Sequence, residues 1–145
     1  MIDKSDTAFM IIATALVMIM TPTLAFFYGG LVKKKNVLSI LMQTMVILSV
    51  ISIQWVLFGY SLAFGPDIKG IIGALNFAGL RGVETQPLPG QTIPHMLFMS
   101  FQMMFAIITP ALIIGSFAER IKFSGFLIFI LLWSTLVYDP MAHLV

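Results

Sequence analysis

Phe101 and Phe105 stand four residues apart, with Gln102 between them, in a stretch that carries no charge from His95 to Glu119. At helical spacing Phe101, Phe105, Ile108 and Leu112 fall on one stripe about three turns long. A buried amide without partners costs roughly 2–7 kcal/mol, so Gln102 needs water or a polar neighbour beside those rings. The stripe reads as a polar-aromatic mouth above an aliphatic passage. The same spacing also describes a lipid-facing or packed stripe. Bond-making chemistry has no support: HExxH, GxSxG and a phosphate-cradling glycine loop are all absent from the sequence. His95 and His143 lack metal-spaced companions, and with no cysteine there is no thiolate site or nucleophile. No enzyme, metal or cofactor is expected.

Such a stripe needs a long apolar helix to carry it, and the composition supplies several. Hydrophobic residues make up 59% of the chain and charged residues 10%, with a mean hydropathy of +1.03. Soluble domains are near half apolar and a quarter charged. The charges are clumped, leaving uncharged runs long enough to cross a hydrocarbon layer of roughly 30 Å as helices. The expected class is an all-α integral membrane protein, multi-pass and seated in the lipid bilayer of the cell membrane. Four spans are expected, at about 8–32, 37–64, 93–118 and 121–145. The segment from 65 to 92 reads as an extracellular loop, rich in glycine and proline, with an apolar patch IIGALNFAGL too short to span.

Orientation follows from the basic residues. Lys33, Lys34, Lys35, Arg120 and Lys122 fall on one side of alternating spans, and the positive-inside rule puts that side in the cytoplasm and the N-terminus outside. The net charge of +2 therefore records topology, and no nucleic-acid partner is implied. Glu119 and Lys122, three residues apart, could form a modest exposed pair. MIDKSDTAFM lacks the features of a cleaved signal peptide, so the first hydrophobic run is expected to stay.

The first span contains TPTLAFFYGG. Pro22 removes a backbone hydrogen bond within the apolar run, and Gly29 and Gly30 could allow close helix approach. Phe27 and Tyr28 sit near its inner end.

At FFYGGLVKKKNVLS, GYSLAFG, FQMMFAIITPALIIGSFAERIKFS and DPMAHLV the chain resembles the N-terminal part of the Amt/Mep/Rh ammonium transporter family, in its microbial Amt branch. Order, spacing and topology agree over essentially the whole length. The resemblance implies an inverted-repeat helical bundle of about eleven helices per subunit, of which these residues are about four, in a homotrimer. It implies ammonium or ammonia, and methylammonium, as substrates, with a possible PII-type cytoplasmic regulator. It assigns Phe105 to an outer ammonium-recruiting site, Phe101 and Gln102 to its vestibule, and Leu112, with Ile108, to the narrow passage. Phe27 and Tyr28 match positions near the lower pore. Thr23 stands where many relatives have glycine. The family's vestibule tryptophan, conserved aspartate and paired pore histidines are expected after Val145.

An aromatic face offers an ammonium ion about 0.5–2 kcal/mol, whereas carrying the bare charge past Ile108 and Leu112 costs on the order of tens of kcal/mol. The expectation is that the ion is recruited outside and deprotonated before ammonia passes. The alternative is a non-transporting structural or interaction subunit, or a truncated or split transporter or sensor.

Overall fold

The computed structural model describes residues 2–145, and its first long helix has a local reason to start where it does. The Asp3 carboxylate accepts from the backbone N–H groups of Ser5 at 2.7 Å and Asp6 at 3.0 Å, satisfying donors that a helix leaves open at its first turn. Helix α1 therefore begins at Lys4 and runs to Leu31, a full turn before the apolar run. It stays continuous through Pro22.

After Val32 and Lys33, α2 extends from Lys34 to Phe64, its first three residues, Lys34–Asn36, forming a tighter turn. Within it, Trp55–Gly59 forms one widened turn in which the Tyr60 N–H reaches the Trp55 carbonyl five residues back. At Gly65 the chain doubles back so closely that a Cβ would lie 2.2 Å from the Ala74 carbonyl oxygen, a position only glycine can fill. The strands β1, Asp67–Ile68, and β2, Ile72–Gly73, then pair antiparallel, with Asp67 opposite Gly73 and Ile68 opposite Ile72. The Ser61 hydroxyl holds this hairpin to α2, donating to the Ala74 carbonyl at 2.7 Å and accepting from the Phe77 N–H at 2.9 Å. The apolar patch found in the sequence forms β2 and short helical turns within Leu75–Leu80, broken by a kink at Ala78 and Gly79.

Helix α3, His95–Phe117, begins directly after Pro94, and α4, Phe123–Leu144, follows the turn at 118–122. All four helices are long and apolar enough to cross a membrane. Helix α1 packs on α2 and α3, while α4 packs mainly on α2 and on the hairpin. Ile47, Ile51, Trp55, Tyr60, Ile107, Ala111, Ile114, Phe126 and Ile130 fill the centre. Between lipid-solvated helices apolar burial supplies little driving force, so small residues and close packing must hold the contacts. Gly29, beside Val37, and Gly115, beside the Tyr28 ring, provide them, whereas Gly30 faces open space.

The two ends are tied by polar clasps. At the basic-turn end, Glu119 accepts from the Lys33 N–H at 3.1 Å and from the Asn36 side-chain amide, and these bonds hold its carboxyl below the usual range, Asn36 contributing most. The pairing of Glu119 with Lys122 expected from the sequence is replaced by this clasp. The reason is local: Glu119 adopts φ +69°, so the helix has ended and the i, i+3 geometry no longer applies. At the loop end, His143 Nε2 lies 3.0 Å from Asp67 Oδ1 and its Nδ1 lies 2.9 Å from the Ala63 carbonyl. This contact lowers the Asp67 carboxyl from its ordinary value. The Asp3 N–H donates to the Thr92 carbonyl at 2.8 Å, and Thr92 donates through its hydroxyl to Asp6.

Candidate functional site

The α3 stripe forms as its spacing requires. The Phe101 and Phe105 rings lie with centroids 5.1 Å apart at 77°, an edge-to-face arrangement that suits the aromatic quadrupole. Both side chains and that of Gln102 are half-buried.

At the loop end a depression of about 460 Å³ is bounded by Asp6, Phe9 and Met10 of α1, the Gly90–Ile93 segment, and Phe98, Phe101 and Gln102 of α3. Gln102 thus borders an open polar-aromatic space, which meets the requirement that its amide find water or a partner. Deeper along α3, a groove of about 460 Å³ is lined by Met20, Thr23, Leu24 and Phe27 of α1 with Ile108 and Leu112 of α3. The Thr23 hydroxyl is spent on the Ile19 carbonyl at 2.9 Å. The lining is therefore almost wholly aliphatic and aromatic, without an ionisable group. Ile108 is 5% exposed, while Leu112 at 52% and Phe27 at 61% are open.

Five of the seven residues singled out in the sequence thus collect in two places, Phe101 with Gln102 and Phe27 with Ile108 and Leu112. Phe105 borders neither space. It sits between them on the same helical face, in contact with Phe101. Tyr28 also lies off the groove: its ring is 5.6 Å from Phe27, and its hydroxyl donates to the Leu112 carbonyl at 2.8 Å. Tyr28 therefore positions α3 against α1 instead of lining the groove.

Asp6, Phe9, Gln91 and Thr92 at the rim are absent from the sequence-derived set. The acidic character of the N-terminal tail was visible, but its placement beside Gln102 depends on the Asp3–Thr92 and Asp6–Thr92 bonds across more than eighty residues, which no local pattern encodes.

The family model described as Ammonium Transporter Family matches residues 8–145. The chain belongs to this family. As a member of the Ammonium Transporter Family with four helices able to span a membrane, it is a membrane-embedded, multi-pass transporter-family protein and not an enzyme. The ammonium transporter of Bacillus subtilis is 55% identical over 142 residues, covering 97% of this chain and 35% of that protein. The putative ammonium transporter of Methanothermobacter thermautotrophicus is 49% identical over 145 residues, covering 99% of this chain and 36% of that protein. Among solved structures, Mep2 of Saccharomyces cerevisiae matches with a TM-score of 0.88 at 38% identity, covering 98% of this chain and 32% of that one. Mep2 of Candida albicans matches with the same TM-score at 33% identity, covering 98% and 31%. The chain spans about a third of the length of these relatives.

Proposed function

We propose that this chain supplies the entrance and part of the passage of an ammonium transporter, with Phe101, Gln102 and Phe105 as the vestibule and gate and Phe27, Tyr28, Ile108 and Leu112 along or beside the passage. The observation that carries the reading is the order of chemistry along one face of α3. A polar-aromatic depression at Phe101 and Gln102 gives way, past Phe105, to an uncharged groove at Ile108 and Leu112. An ammonium ion gains about 0.5–2 kcal/mol from an aromatic face. That gain cannot offset the cost, on the order of tens of kcal/mol, of a bare ion in an apolar groove. Ammonium therefore leaves its proton at the mouth and passes as ammonia. The proton goes to water or to a base beyond the stripe, because none of Phe101, Gln102, Phe105, Ile108 and Leu112 can take it.

In this reading the loop end faces outward and the turns carrying Lys33, Lys34, Lys35, Arg120 and Lys122 face the cytoplasm, as the positive-inside rule requires. The same basic turns offer a surface to a PII-type regulator. Apolar side chains left open along α1, among them Phe9, Ile12, Leu16 and Ile19, suit contacts with further helices or with the other subunits of a homotrimer.

Uptake of radiolabelled methylammonium by proteoliposomes containing the complete protein tests the proposal. Saturable uptake that ammonium inhibits is expected. Uptake no greater than in empty vesicles would leave a structural or interaction subunit as the function.

A further inference from the structure

Helices α2 and α4 each contain one widened turn, and the two turns face a common contact. In α2 the turn is Trp55–Gly59; in α4 it is Ser134–Tyr138, where the Asp139 N–H reaches the Ser134 carbonyl five residues back. A widened turn rephases the side chains that follow it. Gln54 precedes the first turn and Asp139 follows the second, and the two side chains meet between the helices: Gln54 Nε2 donates to Asp139 Oδ2 at 2.7 Å. Gln54 is 2% exposed and Asp139 0%. Gly59 makes room for the amide, since a Cβ there would stand 2.7 Å from Gln54 Oε1.

The remaining oxygens of these two planar groups, Asp139 Oδ1 and Gln54 Oε1, are both buried and both without a partner. With an ionised carboxylate each would be a buried acceptor without a bond, an arrangement that buried polar groups avoid; the donors Trp55 Nε1 and Ser134 Oγ in the same two turns are buried too, and neither bonds to them. No cationic side chain among the described residues pairs with Asp139. The titratable groups nearby are engaged elsewhere, the adjacent Tyr138 with Thr109, Tyr60 with His95 at 2.6 Å and His143 with Asp67 and Ala63.

A single proton resolves both vacancies. A protonated carboxyl is complementary to a primary carboxamide: its carbonyl accepts from the amide N–H, and its O–H donates to the amide carbonyl. We propose that Asp139 holds a proton and pairs head-to-head with Gln54, forming a neutral acid–amide clip that joins α2 to α4 within the membrane. The site binds a proton and leaves no fixed charge to attract a cation away from the passage. It involves none of the residues proposed for transport, so the two readings stand or fall separately.

Infrared spectroscopy of the lipid-reconstituted protein at neutral pH, with aspartate carrying ¹³C at the side-chain carboxyl, reads the proton directly. The expected spectrum contains a protonated-carboxyl carbonyl band that shifts with the isotope and is lost in Asp139→Asn. A carboxamide in place of the acid preserves the two-bond geometry, so this variant keeps the thermal midpoint of the wild type, whereas Asp139→Leu lowers it. If neither Asp139 variant folds, Gln54→Leu supplies the second reading: the band remains but shifts as the amide bond to it is lost. A wild-type spectrum with only ionised-carboxylate bands overturns the proposal. So does an experimental density map with a water molecule or a monovalent cation seated between Asp139 Oδ1 and Gln54 Oε1.

Discussion

The Tyr28 hydroxyl donates to the Leu112 carbonyl at 2.8 Å, and the same ring occupies the space beside Gly115, where a Cβ would come within 2.8 Å of Tyr28 Cε1. One side chain thus sets both the distance and the register between α1 and α3. The groove lined by Phe27, Ile108 and Leu112 lies beside that contact.

Gly115→Ala should therefore destabilise the α1–α3 contact by about 1–3 kcal/mol, the usual cost of forcing extra volume into a filled site. Tyr28→Phe removes only the hydroxyl and should cost about 0.5–1.5 kcal/mol. Thermal unfolding of the purified variants in one lipid or detergent compares them. Equal midpoints for Gly115→Ala and wild type would show that the ring is free to move aside.

The Glu119 clasp gives a pH dependence with a definite sign. Its carboxyl is held below the ordinary glutamate range, first by Asn36 and then by the Lys33 N–H. The contribution of the clasp is present above the ordinary glutamate value and is lost as pH falls through the lowered one. Hydrogen exchange at Lys33 should accordingly rise as the medium is acidified, after correction for the intrinsic rate. Glu119→Gln should weaken this protection at neutral pH and remove its acid dependence. Unchanged protection in Glu119→Gln would mean that the backbone turn holds without the carboxylate.

Orientation is tested by accessibility. Lys34 lies in the most basic turn and Gly79 in the opposite loop, so a cysteine at Lys34 should react with an impermeant reagent only from the cytoplasmic side, and one at Gly79 only from outside. Labelling of the Lys34→Cys variant in intact cells would reverse the topology.

The presence of four apolar helices was legible because the charges cluster and leave long uncharged runs. Helix α1 still begins earlier than hydropathy indicates, because Asp3 caps a polar first turn. The widened turns at Trp55 and Ser134 left no trace in an averaged apolar pattern. For the site, i, i+4 spacing was enough to bring Phe101 to Phe105. The meeting of Phe27 with Ile108 and Leu112 depends on how α1 crosses α3, which spacing within either helix cannot express. Asp139 carried a signal that could have been used, as an acid inside an apolar span is costly and demands a partner. That its partner is Gln54 emerges only from the packing of α4 on α2.

The Phe101–Phe105 pair separates a functional stripe from a packed one. With the Phe105 ring removed, an arriving cation loses a π-face worth about 0.5–2 kcal/mol, so Phe105→Ala should weaken apparent ammonium or methylammonium affinity by about two- to thirty-fold. Selectivity over potassium should change with it, because Phe105 stands between the polar-aromatic depression and the aliphatic groove. Assembly should persist, since the ring is half-buried and the core residues Ile107, Ala111 and Ile114 are untouched. Phe101→Ala should act in the same direction but less strongly, through loss of its edge contact with Phe105 and of one wall of the depression. Transport by purified variants in liposomes, at matched protein content, provides the measurement. A lipid-facing or packing role instead gives wild-type rate, affinity and ammonium-over-potassium preference in both variants, and that result would remove the stripe from the transport path.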